Sequence, residues 1–227
     1  PGMLVACGAL LEYVKLTQKD SLPRLDAPRC QLSSEHMQID AASMRNLEIM
    51  MTLSGEKRGS LFSVIDETVT APGARLLAAW LSAPLTDATK INTRHEHVEY
   101  FVTCGQLRDN IRHFLKTAPD SERALSRLAM HRGGPRDMLS IAAALKAAHH
   151  VRVLLEQQQE PEIPEGLADL RSKLGGHELL IEKLLTSIRA ECGLFARDGN
   201  FIAEGFSAAL DELRTLRDEG KRLIVGL

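Results

Sequence analysis

An all-α fold is predicted for this chain on three observations. Apolar residues recur at helical spacing through most of its 227 residues. Residues that start and stop helices punctuate that pattern at short intervals. No repeat of fixed period is present, which argues for an irregular multi-helix core bundle and against a solenoid. A long protruding helix is expected at the C-terminal end. The length suffices for one large domain, or two small ones, with a real core.

The first helix is expected over residues 3–19, with Leu10, Leu11 and Val14 on one side. Its small residues Ala6, Gly8 and Ala9 suit a close helix contact or a weak start. Residues 20–40 read as irregular, broken by Pro23 and Pro28, with His36-Met37-Gln38-Ile39 as a short extended piece. Asp40 stands where an N-cap belongs, its carboxylate placed to accept from free amides, so a helix is expected over residues 41–51. Residues 54–59 form a loop and residues 60–66 one or two helical turns. Pro72 suits the first turn of the next helix, where its missing N–H costs nothing. Leu76, Leu77, Trp80 and Leu81 give that helix an apolar face, and Pro84 ends it.

Over residues 87–103, Ile91, His95, Val98 and Val102 repeat at helical spacing, and Leu107, Ile111 and Leu115 do so in the next segment. Asp120 caps another helix, with Leu125 and Leu128 inside. Gly133-Gly134-Pro135 is a stop followed by a start. The helix from there to residue 159 carries Met138, Ile141, Leu145, Val151 and Leu155 in phase, and Pro161 and Pro164 close it. Shorter helices are expected at 167–174 and 178–191, separated by Gly175-Gly176, then a turn with a short strand over 197–203.

The last helix begins near Gly205. Its seam is Leu210, Leu213, Leu216, Leu223 and Leu227, with Glu212, Arg214, Arg217 and Glu219 alongside. About 23 residues would span roughly 35 Å at 1.5 Å each. The helix reaches Leu227 without a polar cap, and Pro1 is not a natural initiator. Both features lead us to expect a piece cut from a longer chain.

Composition narrows the function classes. Apolar residues make up 44% and charged residues 26%, as in ordinary globular domains. The net charge of −2 argues against a free-standing nucleic-acid binder, which must neutralise phosphates. Cys7, Cys30, Cys104 and Cys192 are far apart and read as buried or free thiols in a reducing compartment. No apolar run approaches a membrane span. The start, Pro1-Gly2-Met3-Leu4-Val5, has no basic segment of the kind a signal peptide carries.

No catalytic, cofactor-binding or metal-ligating residue is assigned from the sequence. Gly55-Glu56-Lys57-Arg58-Gly59-Ser60 approximates a phosphate loop but has one residue too few between its glycines and no lysine after Gly59. His177-Glu178 opens like a zinc-protease helix, yet the position of the second histidine is Ile181. The pairs His95 with His97 and His149 with His150 diverge on their helices. Asp211 and Glu212 are adjacent and read as solvated. Two basic stripes stand out: Arg108, Arg112 and Lys116 on one helix, and Arg123, Arg127 and His131 on the following one. Such stripes can line a phosphate backbone. The alternative is a solvated face, or ion pairs with Asp109, Asp120 and Glu122.

The segment Gln38-Ile39-Asp40-Ala41-Ala42-Ser43-Met44-Arg45-Asn46-Leu47-Glu48-Ile49 resembles a signature of the MutS family of DNA mismatch-repair proteins. So does Gly59-Ser60-Leu61-Phe62-Ser63-Val64-Ile65-Asp66-Glu67-Thr68-Val69-Thr70, with Gly73-Ala74-Arg75-Leu76-Leu77 and Trp80-Leu81-Ser82-Ala83-Pro84-Leu85 after it. Further matches are Ser121-Glu122-Arg123-Ala124-Leu125-Ser126-Arg127-Leu128, Pro135-Arg136-Asp137-Met138-Leu139 and Arg197-Asp198-Gly199-Asn200-Phe201-Ile202. Leu210-Asp211-Glu212-Leu213-Arg214-Thr215-Leu216-Arg217 is similar to the family's helix that climbs toward the clamp. Gly8-Ala9-Leu10-Leu11-Glu12-Tyr13 looks like the junction after the connector domain. The matches follow the family's order across almost the whole chain. Pro72 departs from the methionine or small residue of many relatives and still fits a first helical turn.

The resemblance implies residues 1–20 as the end of the connector and a lead-in helix, 21–204 as the helical core domain and 205–227 as the start of a lever helix. It implies a structural core and lever module that couples an ATPase to a DNA clamp, with no catalytic activity of its own. The mismatch-reading domain and its Phe-x-Glu motif would lie N-terminal, and the clamp and Walker-type ATPase C-terminal. It further implies ATP and Mg as cofactors of the parent only, mismatched duplex DNA reached through adjacent domains, a homodimer, MutL-type partners and a cytoplasmic location. Within this reading Leu76 and Trp80 form the packed base of the lever, and Gly220 softens its arm or packs against a neighbour. An independent helical DNA-binding module is the alternative.

Overall fold

The computed structural model describes residues 2–18, 25, 27, 35–159 and 161–225. Pro23, Pro28, Cys30 and Leu227, and the side chain of Leu223, lie outside the described part. The helices in chain order are α1 (Gly2–Gln18), α2 (Ala41–Asn46), α3 (Leu61–Ile65), α4 (Ala71–Ser82), α5 (Ala88–Thr103) and α6 (Gly105–Lys116). Then come α7 (Ser121–Ala129), α8 (Pro135–Gln157), α9 (Glu165–Lys173), α10 (Glu178–Ser187) and α11 (Ala208–Val225). Among the described residues, extended pairing is confined to two isolated antiparallel bridges, His36 with Leu85 and Ile188 with Ile202. The fold is all-α, as the apolar period predicts.

Side-chain caps decide where many helices begin. The Asp40 carboxylate accepts from the amides of Ala42 and Ser43 at 2.9 Å each. Ser60, Thr70, Asp87 and Asp120 play the same part for α3, α4, α5 and α7. Backbone geometry decides several ends, and there the outcome departs from the sequence reading. The helix expected over 41–51 stops at Asn46 because Glu48 turns left-handed, with φ 50°. The amides of Glu48 and Ile49 then bond back to the carbonyls of Arg45 and Met44, a Schellman motif closed without glycine. The helix expected to reach residue 191 stops at Ser187, because Ile188 leaves to pair with Ile202.

The core forms around α8, against which α6, α7, α9 and α10 all pack. One contiguous apolar cluster joins Tyr100 and Cys104 of the α5–α6 corner, Leu107 and Ile111 of α6, Val151 and Leu155 of α8, and Leu167 of α9. Each large side chain enclosed this way contributes on the order of 1.5–3 kcal/mol. At the other end of α8 the packing relies on small residues. Ala124 of α7 and Ala142 of α8 are fully enclosed, so the two backbones approach closely.

That closeness corrects the expectation for α7: Leu125 faces out and the methyl of Ala124 faces in. The inward face of α5 is likewise offset from the expected one. Tyr100 and Phe101, in edge contact at 5.4 Å, meet the core, while Val98 and Val102 are exposed. α8 is also the one described helix long and apolar enough on average to cross a membrane, although Lys146, His149, His150 and Arg152 interrupt its apolar run. Four helices packed around it make it the core helix of this domain.

The proposed packed base on α4 is not there. Leu76 is 52% exposed and Trp80 41% exposed, and α4 contributes no buried residue. Trp80 carries the Arg94 guanidinium over its ring at 3.9 Å. α1 is also without a buried residue, and a Cβ on Gly8 would meet nothing, so its small residues serve no close helix contact among the described residues. A Cβ on Gly220 would likewise meet nothing among the described residues, so none of them packs on it.

Gly134 is fixed by close approach. A Cβ there would lie 1.9 Å from the carbonyl oxygen of Leu194, which is backbone and cannot swing aside. Gly134→Ala is therefore expected to cost roughly 1–3 kcal/mol, as overpacking does. Leu155→Ala is expected to cost about 2–5 kcal/mol, and Leu76→Ala about 1 kcal/mol or less. Urea unfolding of the three variants checks all of these values, and a Leu76 loss equal to that of Leu155 would contradict the α8-centred core.

Candidate functional site

The 55–60 loop uses its own amides. Gly55 N–H donates to the Thr52 carbonyl at 2.9 Å and Ser60 N–H to that of Lys57 at 3.1 Å. Glu56 N–H donates to Thr52 Oγ1 at 3.1 Å and Gly59 N–H to Ser63 Oγ at 3.0 Å. Ser60 is fully enclosed and its hydroxyl accepts from Ser63 N–H, capping α3. The loop is a stapled turn and not a cradle for phosphate, whose binding needs those amides free.

The histidines stand in separate environments. His150 stacks on Phe114, with centroids 4.6 Å apart and planes 5° from parallel. His149 Nδ1 lies 3.1 Å from Glu178 Oε1, a close electrostatic contact without hydrogen-bond alignment. The ring of His97 rests on Gly166, its Nε2 enclosed without a partner among the described residues. His177 is exposed at the start of α10. No group of three or more potential metal ligands occurs among the described residues.

The arginines of the basic stripes are tied to internal acceptors. Arg112 donates to the Glu67 carbonyl at 2.9 Å. Arg108 donates to Asp109 at 3.2 Å. Arg123 is 3.4 Å from Asp120, and Arg127 Nε donates to Asp137 at 2.9 Å. His131 does not continue the second stripe, because α7 ends at Ala129 and His131 turns left-handed with φ 55°. Arg108 with Asp109 and Arg123 with Asp120 are the ion pairs expected, whereas the Glu67 carbonyl that takes Arg112 and the Asp137 that takes Arg127 were not anticipated. Asp120 and Glu122 are held mainly by Arg75 of α4, at 2.7 and 2.8 Å. Asp137, which accepts from both Arg127 and the Gly134 amide, was legible only as an acid in the first turn after Pro135.

Asp211 and Glu212 also separate in role. Asp211 accepts from Gly205 N–H at 2.7 Å and from Arg214 at 2.8 Å, while Glu212 is exposed. Nowhere among these residues do a nucleophile and a base meet. Arg75, Arg112 and Arg127 instead join helix to helix or helix to loop, while Arg108 and Arg123 pair locally.

Hydrogen bonds from Arg75 hold the Asp120 carboxyl below its ordinary range, and those from Arg127 do the same for Asp137. A carboxylate lowered on folding adds stability that is complete above its unfolded value. That stability is lost as pH falls through the lowered folded value. Both contributions are thus complete near neutrality and begin to be lost as pH falls below about 4. Asp137→Asn is expected to destabilise at pH 7 and to flatten the acid limb, measured as urea midpoints between pH 3 and 7. An unchanged limb would mean that the pair with Arg127 carries no stability.

Residues 42–224 match the family model described as MutS domain III. The chain is 45% identical over 224 residues to the DNA mismatch repair protein MutS of Dinoroseobacter shibae, an alignment covering 99% of this chain and 25% of that protein. It is 46% identical to the protein of that name from Cereibacter sphaeroides and 43% identical to that of Ruegeria pomeroyi, with the same two coverages. The chain thus spans about a quarter of the length of the relatives it matches. Helical architecture, family match and near-complete coverage at this identity agree: the chain belongs to the MutS family of DNA mismatch-repair proteins and holds that family's domain III.

Proposed function

We propose that this chain is the core and lever module of a MutS-type mismatch-repair protein, transmitting conformational change between a nucleotide site and a DNA clamp. The observation that carries this reading is the contrast between a body locked around α8 and an arm, α11, that packs broadly against no other described helix. Packed helices move as stiff bodies, so a small rotation at the base becomes a large displacement at the tip. The 18 residues of α11 give an arm of about 27 Å at 1.5 Å per residue. The base of that arm is the α8 bundle and not Leu76 and Trp80.

In this proposal ATP with Mg, mismatched duplex DNA, MutL-type partners and the homodimer contact belong to other parts of a cytoplasmic parent protein. The stapled 55–60 loop does not fit a nucleotide. An independent DNA-binding module is the weaker reading, because the arginines of both stripes already have acceptors within the domain. A steeply salt-dependent affinity of the chain for duplex DNA would favour it.

Coupling between sites is reciprocal and typically amounts to about 5–150-fold in affinity. In the full-length parent, Val151→Ala is expected to leave basal DNA binding and basal ATP turnover in place. Their mutual stimulation should fall by at least about fivefold. Normal mutual stimulation in a folded Val151→Ala protein would overturn the proposal.

A further inference from the structure

We infer that Arg214 is the positioning residue that fixes the direction of α11, by latching the helix to a platform formed by residues 187–203. The latch is a two-sided hydrogen-bonded fork. One arm of the guanidinium donates to Asp211 Oδ1 at 2.8 Å, one turn earlier on the same helix. The other donates to the main-chain carbonyl of Ile202 at 2.7 Å. The second carboxylate oxygen of Asp211 accepts from Gly205 N–H at 2.7 Å, closing the turn that leads into the helix. Gly205 has φ 81°, so this turn rests on a backbone shape that other residues adopt only with strain. The Arg214 side chain is 16% exposed, well enclosed for a residue on an arm whose Leu213 and Leu216 face solvent.

The platform is itself anchored twice. Ile188 and Ile202 form a bridge, with Arg189 N–H on the Phe201 carbonyl and Ala203 N–H on the Ser187 carbonyl, both at 2.8 Å. This joins the platform to the end of α10, which packs on α8. On the other side Arg136 of α8 donates to the Cys192 carbonyl at 3.0 Å, and the Leu194 carbonyl sits against Gly134. α11 has no broad packing against another described helix. Its direction therefore passes through the platform, and Arg214 is the side chain that grips it. Lysine does not replace this grip, because an ammonium is a point donor without the planar fork that spans two acceptors at fixed angles.

The inference concerns the set of the arm and rests on the transmission reading only for its consequence in the parent. It is tested on the full 227-residue chain with spin labels carried by non-natural residues at the exposed positions Lys146 of α8 and Glu219 of α11. Double electron–electron resonance is expected to give a narrow distance distribution. Arg214→Ala should broaden it at least about twofold, while the thermal midpoint of the body stays where it was. Arg214→Lys, which keeps charge and bulk, should broaden it comparably, so the outcome does not hang on the alanine variant. An unchanged width in either folded variant overturns the latch. A broadened arm in a parent with intact mutual stimulation would leave the latch standing and remove the transmission reading instead.

Discussion

The enclosure of α8 is the constraint on which the remaining structure depends. A helix of 23 residues that is apolar on most sides has no stable place in water, and the chain gives it four helical neighbours. The two halves of α8 achieve this differently. Toward its C-terminal end, Val151 and Leu155 interlock with large side chains from α5, α6 and α9. Toward its N-terminal end, Ala142 permits close approach and leaves no room for larger groups. A body built this way resists internal shear, because a displaced backbone at the alanine end meets backbone at once.

α4 and α11, which bury no side chain in the core cluster, are joined to the body by directional bonds. α4 reaches the body through Arg75, which crosses to Asp120 and Glu122. α11 reaches it through Arg214. Directional bonds are prominent in both attachments, and for α4 the contact of Trp80 with Arg94 of α5 adds to them. Such contacts have definite geometry but little resistance to local opening.

Much of this was legible in the sequence, for identifiable reasons. Asp40, Asp120, Pro72 and the Gly134-Pro135 pair are local signals, read from one or two residues, and each stands at the helix start expected of it. The failures are non-local or lack a residue signature. Glu48 and His131 are left-handed without being glycine or asparagine, so nothing in the chain marked the ends of α2 and α7. The face of α5 was misplaced because Val98 and Val102 carry the same apolar weight as Tyr100 and Phe101, and the packing of α6, α8 and α9 around Tyr100 decides between them. The basic stripes looked available because Arg127's partner, Asp137, sits on another helix and Arg112's is a main-chain carbonyl. No spacing rule anticipates a carbonyl as an acceptor.

That last feature bears on how this domain tolerates change. Arg112, Arg136, Arg152 and Arg214 all donate to main-chain oxygens, those of Glu67, Cys192, Leu174 and Ile202. Every residue type carries such an oxygen, proline included. A joint of this kind is blind to the side chain on its accepting side and answers only to the path of the backbone there. Half of each contact is thus immune to point substitution. Sequence drift in the receiving loops can proceed without loosening the joints, provided the donor arginine and the course of the loop are kept.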